Sequence, residues 1–122
     1  MIRKQLLAAS LLLASPLVLA QGDADQGKNL FAANCGYCHS TEAGKNQMGP
    51  SLHGVYGRAG GQAPAFAYSA PFKSAKPQWD EASLDKWLTN PAAMVPGTMM
   101  MFPGLASAED RQHLIAYLKT LK

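Results

Sequence analysis

Cys35-Gly36-Tyr37-Cys38-His39 is the stretch that decides how this chain is read. It has the form C-x-x-C-H, in which two thiols three residues apart can each form a thioether with one vinyl group of the same porphyrin. The histidine that follows directly can then turn beneath the ring and offer an imidazole nitrogen to the iron. Two other chemistries use paired cysteines. A thioredoxin-like redox pair wants a βαβ setting, and no strand-rich pattern supplies one here. A zinc site needs four ligands, whereas the chain has 2 cysteines and, besides His39, only His53 and His113 at unsuitable spacing. The motif therefore implies one haem c, attached covalently through Cys35 and Cys38.

The redox compartment follows from the start of the chain. Residues 1–20 combine a short basic opening (Arg3, Lys4), an apolar run from Leu6 to Leu13, and a second apolar stretch closing on Val18-Leu19-Ala20. That pattern predicts a secretory signal peptide cut between Ala20 and Gln21. Ser15-Pro16 interrupts the apolar core, which is too short for a confident transmembrane helix. An uncleaved N-terminal anchor is the alternative. Either way the chain is exported, and an exported C-x-x-C pair not bonded to porphyrin would risk oxidation to a disulfide.

Cleavage leaves residues 21–122, enough for one domain. The basic residues Arg3 and Lys4 leave with the signal, so the mature balance is nine basic against eight acidic. Two haem propionates bring it to about neutral or below. Nucleic acid is excluded as a partner, because no basic face is clustered in the sequence.

Helical patterning appears at both ends of this domain. Residues 23–34 carry Leu30 and Phe31 on one face with Gly27 a turn earlier. Residues 107–121 open on Ser107-Ala108-Glu109-Asp110, a capping-box-like start with Asp at the third helical position. They continue with Leu114, Tyr117, Leu118 and Leu121 at i, i+3, i+4 and i+7. Between them, Asp80 can cap a helix over 81–89 whose Leu84, Trp87 and Leu88 share one face. Asn90-Pro91 ends it, since the residue before proline disfavours the helical region. The intervening stretch 40–78 is rich in Gly and Pro and reads as irregular. So long a loop normally argues against a compact domain. A porphyrin removes the objection, because loops can wrap it and bury their side chains without forming a sheet. The haem-free chain should then lack enough core to fold well.

A second iron ligand should come from far along the chain. Val95-Pro96-Gly97-Thr98-Met99-Met100-Met101-Phe102 offers three consecutive methionines after a rigid Pro-Gly turn. Methionine is often a flexible core filler, but three in a row cannot all point into one core. A thioether opposite histidine favours Fe(II) and raises the reduction potential.

With these motifs the mature sequence resembles the class I c-type cytochromes, and most nearly the small carriers of the mitochondrial-type branch. The resemblance implies an all-α fold of about three main helices plus long loops wrapped around one covalent haem. Gly22-Asp23 with Gly27-Lys28-Asn29-Leu30-Phe31 resembles the opening helix of that family, where Gly27 would admit the terminal helix and Phe31 pack beneath it. Gly49-Pro50-Ser51-Leu52-His53-Gly54 resembles the segment whose proline carbonyl accepts from the ligating histidine, so Pro50 would orient His39. Gly57-Arg58 and Gln62-Ala63-Pro64-Ala65-Phe66-Ala67-Tyr68 resemble the propionate loop, and imply that Arg58, Tyr68 and Trp79 hydrogen-bond or screen the propionates. The family offset places the axial ligand at Met100, with Phe102 by the ring edge.

Plainer readings stand beside these. Arg58 could be a solvated surface arginine, and Tyr68 and Trp79 ordinary core aromatics. His53 reads as a loop histidine rather than a ligand, His113 as solvent-facing on the outer part of the last helix, and Lys28 and Lys119 as helix-surface charges. Two departures from the family stand out. Trp87 replaces the usual tyrosine near the methionine sulfur, and an indole donates but has no acceptor oxygen. Family members in the mitochondrial branch ring the haem edge with lysines; here those positions include Asn29, Asn34, Gln47, Ala92, Ala93, Met99, Ala106 and Ser107, with Lys45 the main survivor.

The function this implies is a periplasmic single-electron carrier, His39/Met100-ligated, monomeric, with no enzymatic activity and no small-molecule substrate. Its partners would be larger redox proteins, a donor and an acceptor, with membrane-bound oxidases or reductases among the candidates. The alternative is a dedicated haem c subunit of a periplasmic dehydrogenase or oxidase complex. A catalytic haem enzyme or gas sensor would need an open iron site, which Met100 argues against.

Overall fold

The computed structural model describes residues 22–122. The expected signal peptide, residues 1–20, and its cleavage site lie outside the described residues. Five helices follow in order: α1 (Ala24–Asn34), α2 (Ala70–Ala75), α3 (Glu81–Thr89), α4 (Pro91–Met94) and α5 (Ala108–Leu118). The fold is all-α, as expected. Among the described residues the extended pairing amounts to one antiparallel bridge, Ala59 with Gln78.

The three main helices start where short polar side chains can satisfy their first free N–H groups. The Asp23 carboxylate accepts from the N–H groups of Asp25 and Gln26, and these bonds hold its carboxyl below the ordinary range. Asp80 accepts from Ser83 N–H at 2.8 Å, and Ser107 Oγ from Asp110 N–H at 3.2 Å. Each helix then turns its apolar stripe inward. Phe31 of α1, Leu84, Trp87 and Leu88 of α3, and Leu114, Ile115 and Leu118 of α5 are all buried in one core.

α1 and α5 pack directly on each other. A Cβ on Gly27 would strike the His113 carbonyl oxygen, so only glycine lets the backbones approach this closely. One turn on, the Phe31 ring meets Tyr117 edge to face, centroids 5.5 Å apart. Arg111 fixes the other side of α5, its Nε donating to Asp85 of α3 at 2.8 Å and its Nη1 to the Leu105 carbonyl at 2.7 Å.

The structure corrects four expectations. His113 does not face solvent: it is 9% exposed, and its Nδ1 accepts from the Asp23 backbone N–H at 2.7 Å. The residues before α1 cross over α5, where a Cβ on Gly22 would strike the Gln112 carbonyl, and this covers the supposed outer face. Lys119 is more than a surface charge. Its ammonium pairs with Glu81 of α3 at 3.0 Å and sits 5.0 Å above the Tyr56 ring, and the pairing raises its pKa. Nor is the stretch 40–78 wholly irregular, because it contains α2. Ser69 caps that helix, Pro71 fits its first turn, and Lys76 in the left-handed region ends it. Finally, Asn90-Pro91 ends α3 but also begins α4, where Asn90 Oδ1 accepts from Ala93 N–H at 3.2 Å and proline suits the first turn.

Candidate functional site

The C-x-x-C-H segment leaves the end of α1 as a tight turn. Cys35 caps the helix, its N–H bonding the Phe31 carbonyl, and its own carbonyl accepts from Cys38 N–H at 3.1 Å and His39 N–H at 3.0 Å. This curl brings both thiols and the imidazole to one side of the chain. Cys35 is buried, which pushes its thiol up to about 11, with the neighbouring Cys38 adding to the rise. Cys38 is half-buried, its Sγ 3.7 Å from Met48 Sδ.

His39 is held from behind. Its Nδ1 lies 2.7 Å from the Pro50 carbonyl oxygen. A carbonyl only accepts, so Nδ1 carries the proton and Nε2 keeps a free lone pair. Burial pushes the pKa of His39 below its ordinary value, and the Pro50 bond opposes that shift in part. The segment 47–52 is in turn laced to the attachment turn, with Gly49 N–H donating to the Cys38 carbonyl at 2.7 Å and Leu52 N–H to the Ser40 carbonyl at 2.9 Å. A Cβ on Gly49 would come within 2.5 Å of His39 Cε1 and 2.8 Å of Nδ1. Gly49→Ala should therefore push the ring off the Pro50 carbonyl and destabilise the holoprotein by about 1–3 kcal/mol, the usual cost of overpacking. Calorimetry checks this, and an unchanged transition would show that the ring is not pinned there.

Farther along, Gly97 takes φ +86° and redirects the chain after Pro96, so that Thr98 to Phe102 run along the core. Met100 is half-buried against the core, whereas Met99 is 67% and Met101 97% exposed. The middle loops supply an aromatic wall. Tyr68 stacks on Phe72 at 5.3 Å, Phe72 meets Trp87 edge-on at 5.5 Å, and Trp79 meets Trp87 at 5.4 Å. Trp87, the departure noted in the sequence, is thus locked into this cluster.

These parts enclose a single cavity of about 310 Å³. All nine residues singled out from the sequence line it: Cys35, Cys38, His39 and Pro50 from the attachment segments, Arg58, Tyr68 and Trp79 from the middle loops, and Met100 and Phe102 from the loop after α4. The inward faces of α3 and α5 complete it with Leu84, Leu88, Leu114 and Leu118. One polar feature is unmatched. Arg58 Nη1 donates to the His53 carbonyl at 3.1 Å, but the buried Nε has no partner. Tyr68 OH accepts from Ala63 N–H at 3.0 Å, which leaves its own proton to donate. An unpaired buried donor calls for an acceptor, and a carboxylate in the cavity would provide one. Two thiols, an imidazole, a thioether, an apolar aromatic wall and a guanidinium with an unpaired Nε fit a porphyrin with acidic side chains.

The sequence reading missed the supports of this site. Asn46 ties three loop segments together, its Oδ1 accepting from Ser51 N–H at 3.0 Å and its Nδ2 donating to the Pro64 carbonyl at 2.8 Å. Buried Ser51 and Ser40 bond the carbonyls of Glu42 and Lys45. The available signal was Asn and Ser spaced through a Gly-rich loop, where such side chains commonly serve the backbone. Met48, beside Cys38 and lining the cavity, was also overlooked. His53 stays away from the cavity lining, as expected for a loop histidine, its Nδ1 3.3 Å from the Thr41 carbonyl.

Comparison with known proteins identifies the family of this fold. Residues 24–122 match the family model described as cytochrome c. Cytochrome c of Euglena viridis is 50% identical over 101 residues, covering 83% of this chain and 99% of that protein. Cytochrome c2 iso-2 of Magnetospirillum molischianum is 49% identical over 88 residues, 72% of this chain and 91% of the relative. The solved structure of cytochrome cH from Methylobacterium extorquens superimposes with a TM-score of 0.76 at 45% identity, covering 81% of this chain and 99% of that one.

Proposed function

The chain belongs to the cytochrome c family and binds haem c covalently through its cysteines, and on that premise we propose that it is an exported, monomeric one-electron carrier whose iron is held by His39 and Met100. When bound, the haem supplies an iron that cycles between ferric and ferrous states by one electron. The rest of the work falls to the protein. Cys35 and Cys38 fix the group in place, and Pro50 orients the His39 ring with Nε2 free to bind metal. Met100 would provide the neutral second ligand that favours the reduced state. The aromatic and leucine wall keeps water out, and Arg58 with Tyr68 would neutralise the acidic side chains. With His39 and Met100 both holding the iron, no position on it would be left open for a substrate. The observation that supports this reading is the convergence of all nine residues on one cavity.

Localisation and oligomeric state are tested together by purification from the source organism. The expected product comes from the periplasmic fraction, begins at Gln21, runs at the size of a single chain and keeps one haem through acid–acetone extraction. A chain that retains residues 1–20, or co-purifies stoichiometrically with a dehydrogenase or oxidase, would contradict the free carrier.

A further inference from the structure

A row of hydrogen bonds runs away from the back of the His39 ring. Nδ1–H of His39 donates to the Pro50 carbonyl oxygen at 2.7 Å. The N–H of that same peptide group belongs to Ser51, and it donates to Asn46 Oδ1 at 3.0 Å. Asn46 Nδ2 in turn donates to the Pro64 carbonyl at 2.8 Å. The C=O and N–H of a trans peptide point in opposite directions, so one planar group is clamped between the imidazole and the amide. Asn46 suits its place because an amide accepts at one end and donates at the other, which a carboxylate cannot do. Its partners, an N–H and a C=O, also fix which end faces which. The residue is half-buried, and the peptide before it is pinned, since buried Ser40 donates to the Lys45 carbonyl at 2.8 Å. Beyond Pro64 the loop leads to Tyr68, whose OH accepts from Ala63 N–H at 3.0 Å and which lines the cavity.

All three donors in the row point away from the imidazole, and aligned hydrogen bonds polarise one another by about 10–30% each. A peptide whose N–H is engaged is the stronger acceptor at its oxygen. Asn46 therefore strengthens the pull of the Pro50 carbonyl on Nδ1–H and holds that carbonyl in line with the ring. A stronger acceptor at Nδ1 makes Nε2 the more basic donor, and a more basic ligand favours ferric over ferrous iron. Asn46 itself is not part of the cavity lining. We propose that Asn46 is a positioning residue that sets the reduction potential through the Pro50–Ser51 peptide, without touching the cofactor. This rests on the reading of His39 as an iron ligand and deepens it. Because the same amide also holds Pro64, the loop that carries Tyr68 is tied to the histidine side of the cavity by one side chain.

The test compares holoprotein variants by redox titration, by the NMR resonance of the His39 Nδ1 proton, and by thermal unfolding. Asn46→Ala leaves Ser51 N–H without its acceptor and should favour the reduced form about threefold, or about 30 mV at 59 mV per tenfold. Its Nδ1 proton should move upfield and exchange with water faster. Asn46→Asp puts a stronger acceptor on Ser51 N–H and, above the carboxylate range, should favour the oxidised form by at least that factor. Since it keeps the Ser51 bond, it reads the same effect should Asn46→Ala yield no folded holoprotein. Gln47→Glu places an equal charge on the exposed neighbouring side chain and should shift the balance far less. Lower unfolding temperatures with the potential and the Nδ1 proton unmoved would reduce Asn46 to a structural tether and overturn the proposal alone. Equal shifts from Asn46→Asp and Gln47→Glu would do the same. Oxidised holoprotein whose His39 ring signals show no paramagnetic shift would overturn the ligand reading and this proposal together.

Discussion

Chain produced without haem attachment, as the Cys35→Ala/Cys38→Ala variant, is expected to show no cooperative thermal transition. The inward faces of α3 and α5 pack on each other and also border the cavity. Leu84, Trp87, Leu88, Leu114 and Leu118 all line it, together with Val55, Phe72 and Trp79 from the loops. Each such side chain contributes about 1.5–3 kcal/mol when fully buried, while the net stability of a whole domain is only about 5–15 kcal/mol. Loosening the packing of three or four of them, once no haem fills the cavity they line, is enough to remove that margin. The α1–α5 contact, with Gly27 under the His113 backbone and Phe31 against Tyr117, does not depend on the cavity. Far-UV circular dichroism should therefore keep part of its helical signal while the near-UV aromatic signal is lost, the mark of a compact state without fixed packing. A sharp, cooperative transition in the haem-free variant would show that the core is sufficient by itself.

Met100→Ala should abolish the sulfur-to-iron charge-transfer band of the oxidised holoprotein and lower its reduction potential. Replacing a neutral thioether by water or a nitrogen donor removes the ligand that favours Fe(II). Axial ligands span about 0.8 V across haem proteins, so a fall on the order of 0.1 V or more is expected. Met101→Ala should leave the band nearly unchanged, because that side chain is almost wholly exposed. Met99 is exposed as well, whereas Met100 is the member of the run packed against the core. The reverse pattern in the two variants would move the ligand by one residue.

The sequence was most legible where chemistry or periodicity is local. C-x-x-C-H declared its cofactor, Asp80 with the 84, 87, 88 stripe declared α3, and Ser107 declared the start of α5. Short helices were not legible. α2 has six residues and α4 four, too few for an apolar period to register, and both are set by caps that also read as turn signals. His113 was misplaced for a different reason. Its burial comes from the chain crossing at Gly22 and Asp23, a contact ninety positions away that no helical wheel contains. The nine residues that converge on the cavity could be picked out from motifs, but what holds them in place could not. Gly49 beneath the His39 ring and Asn46 between two loops act through close approach and backbone bonding, which leave little trace in residue type.

An iron held on both sides by His39 and Met100 would exchange a single electron while staying closed to outside ligands. This is tested most directly by a spectroelectrochemical titration of the mature holoprotein, with carbon monoxide added to the reduced form. The expected result is a reversible one-electron curve, the sulfur-to-iron band in the oxidised spectrum, and no spectral change with carbon monoxide. An oxidised spectrum without that band, or ready binding of carbon monoxide by the reduced protein, would contradict it.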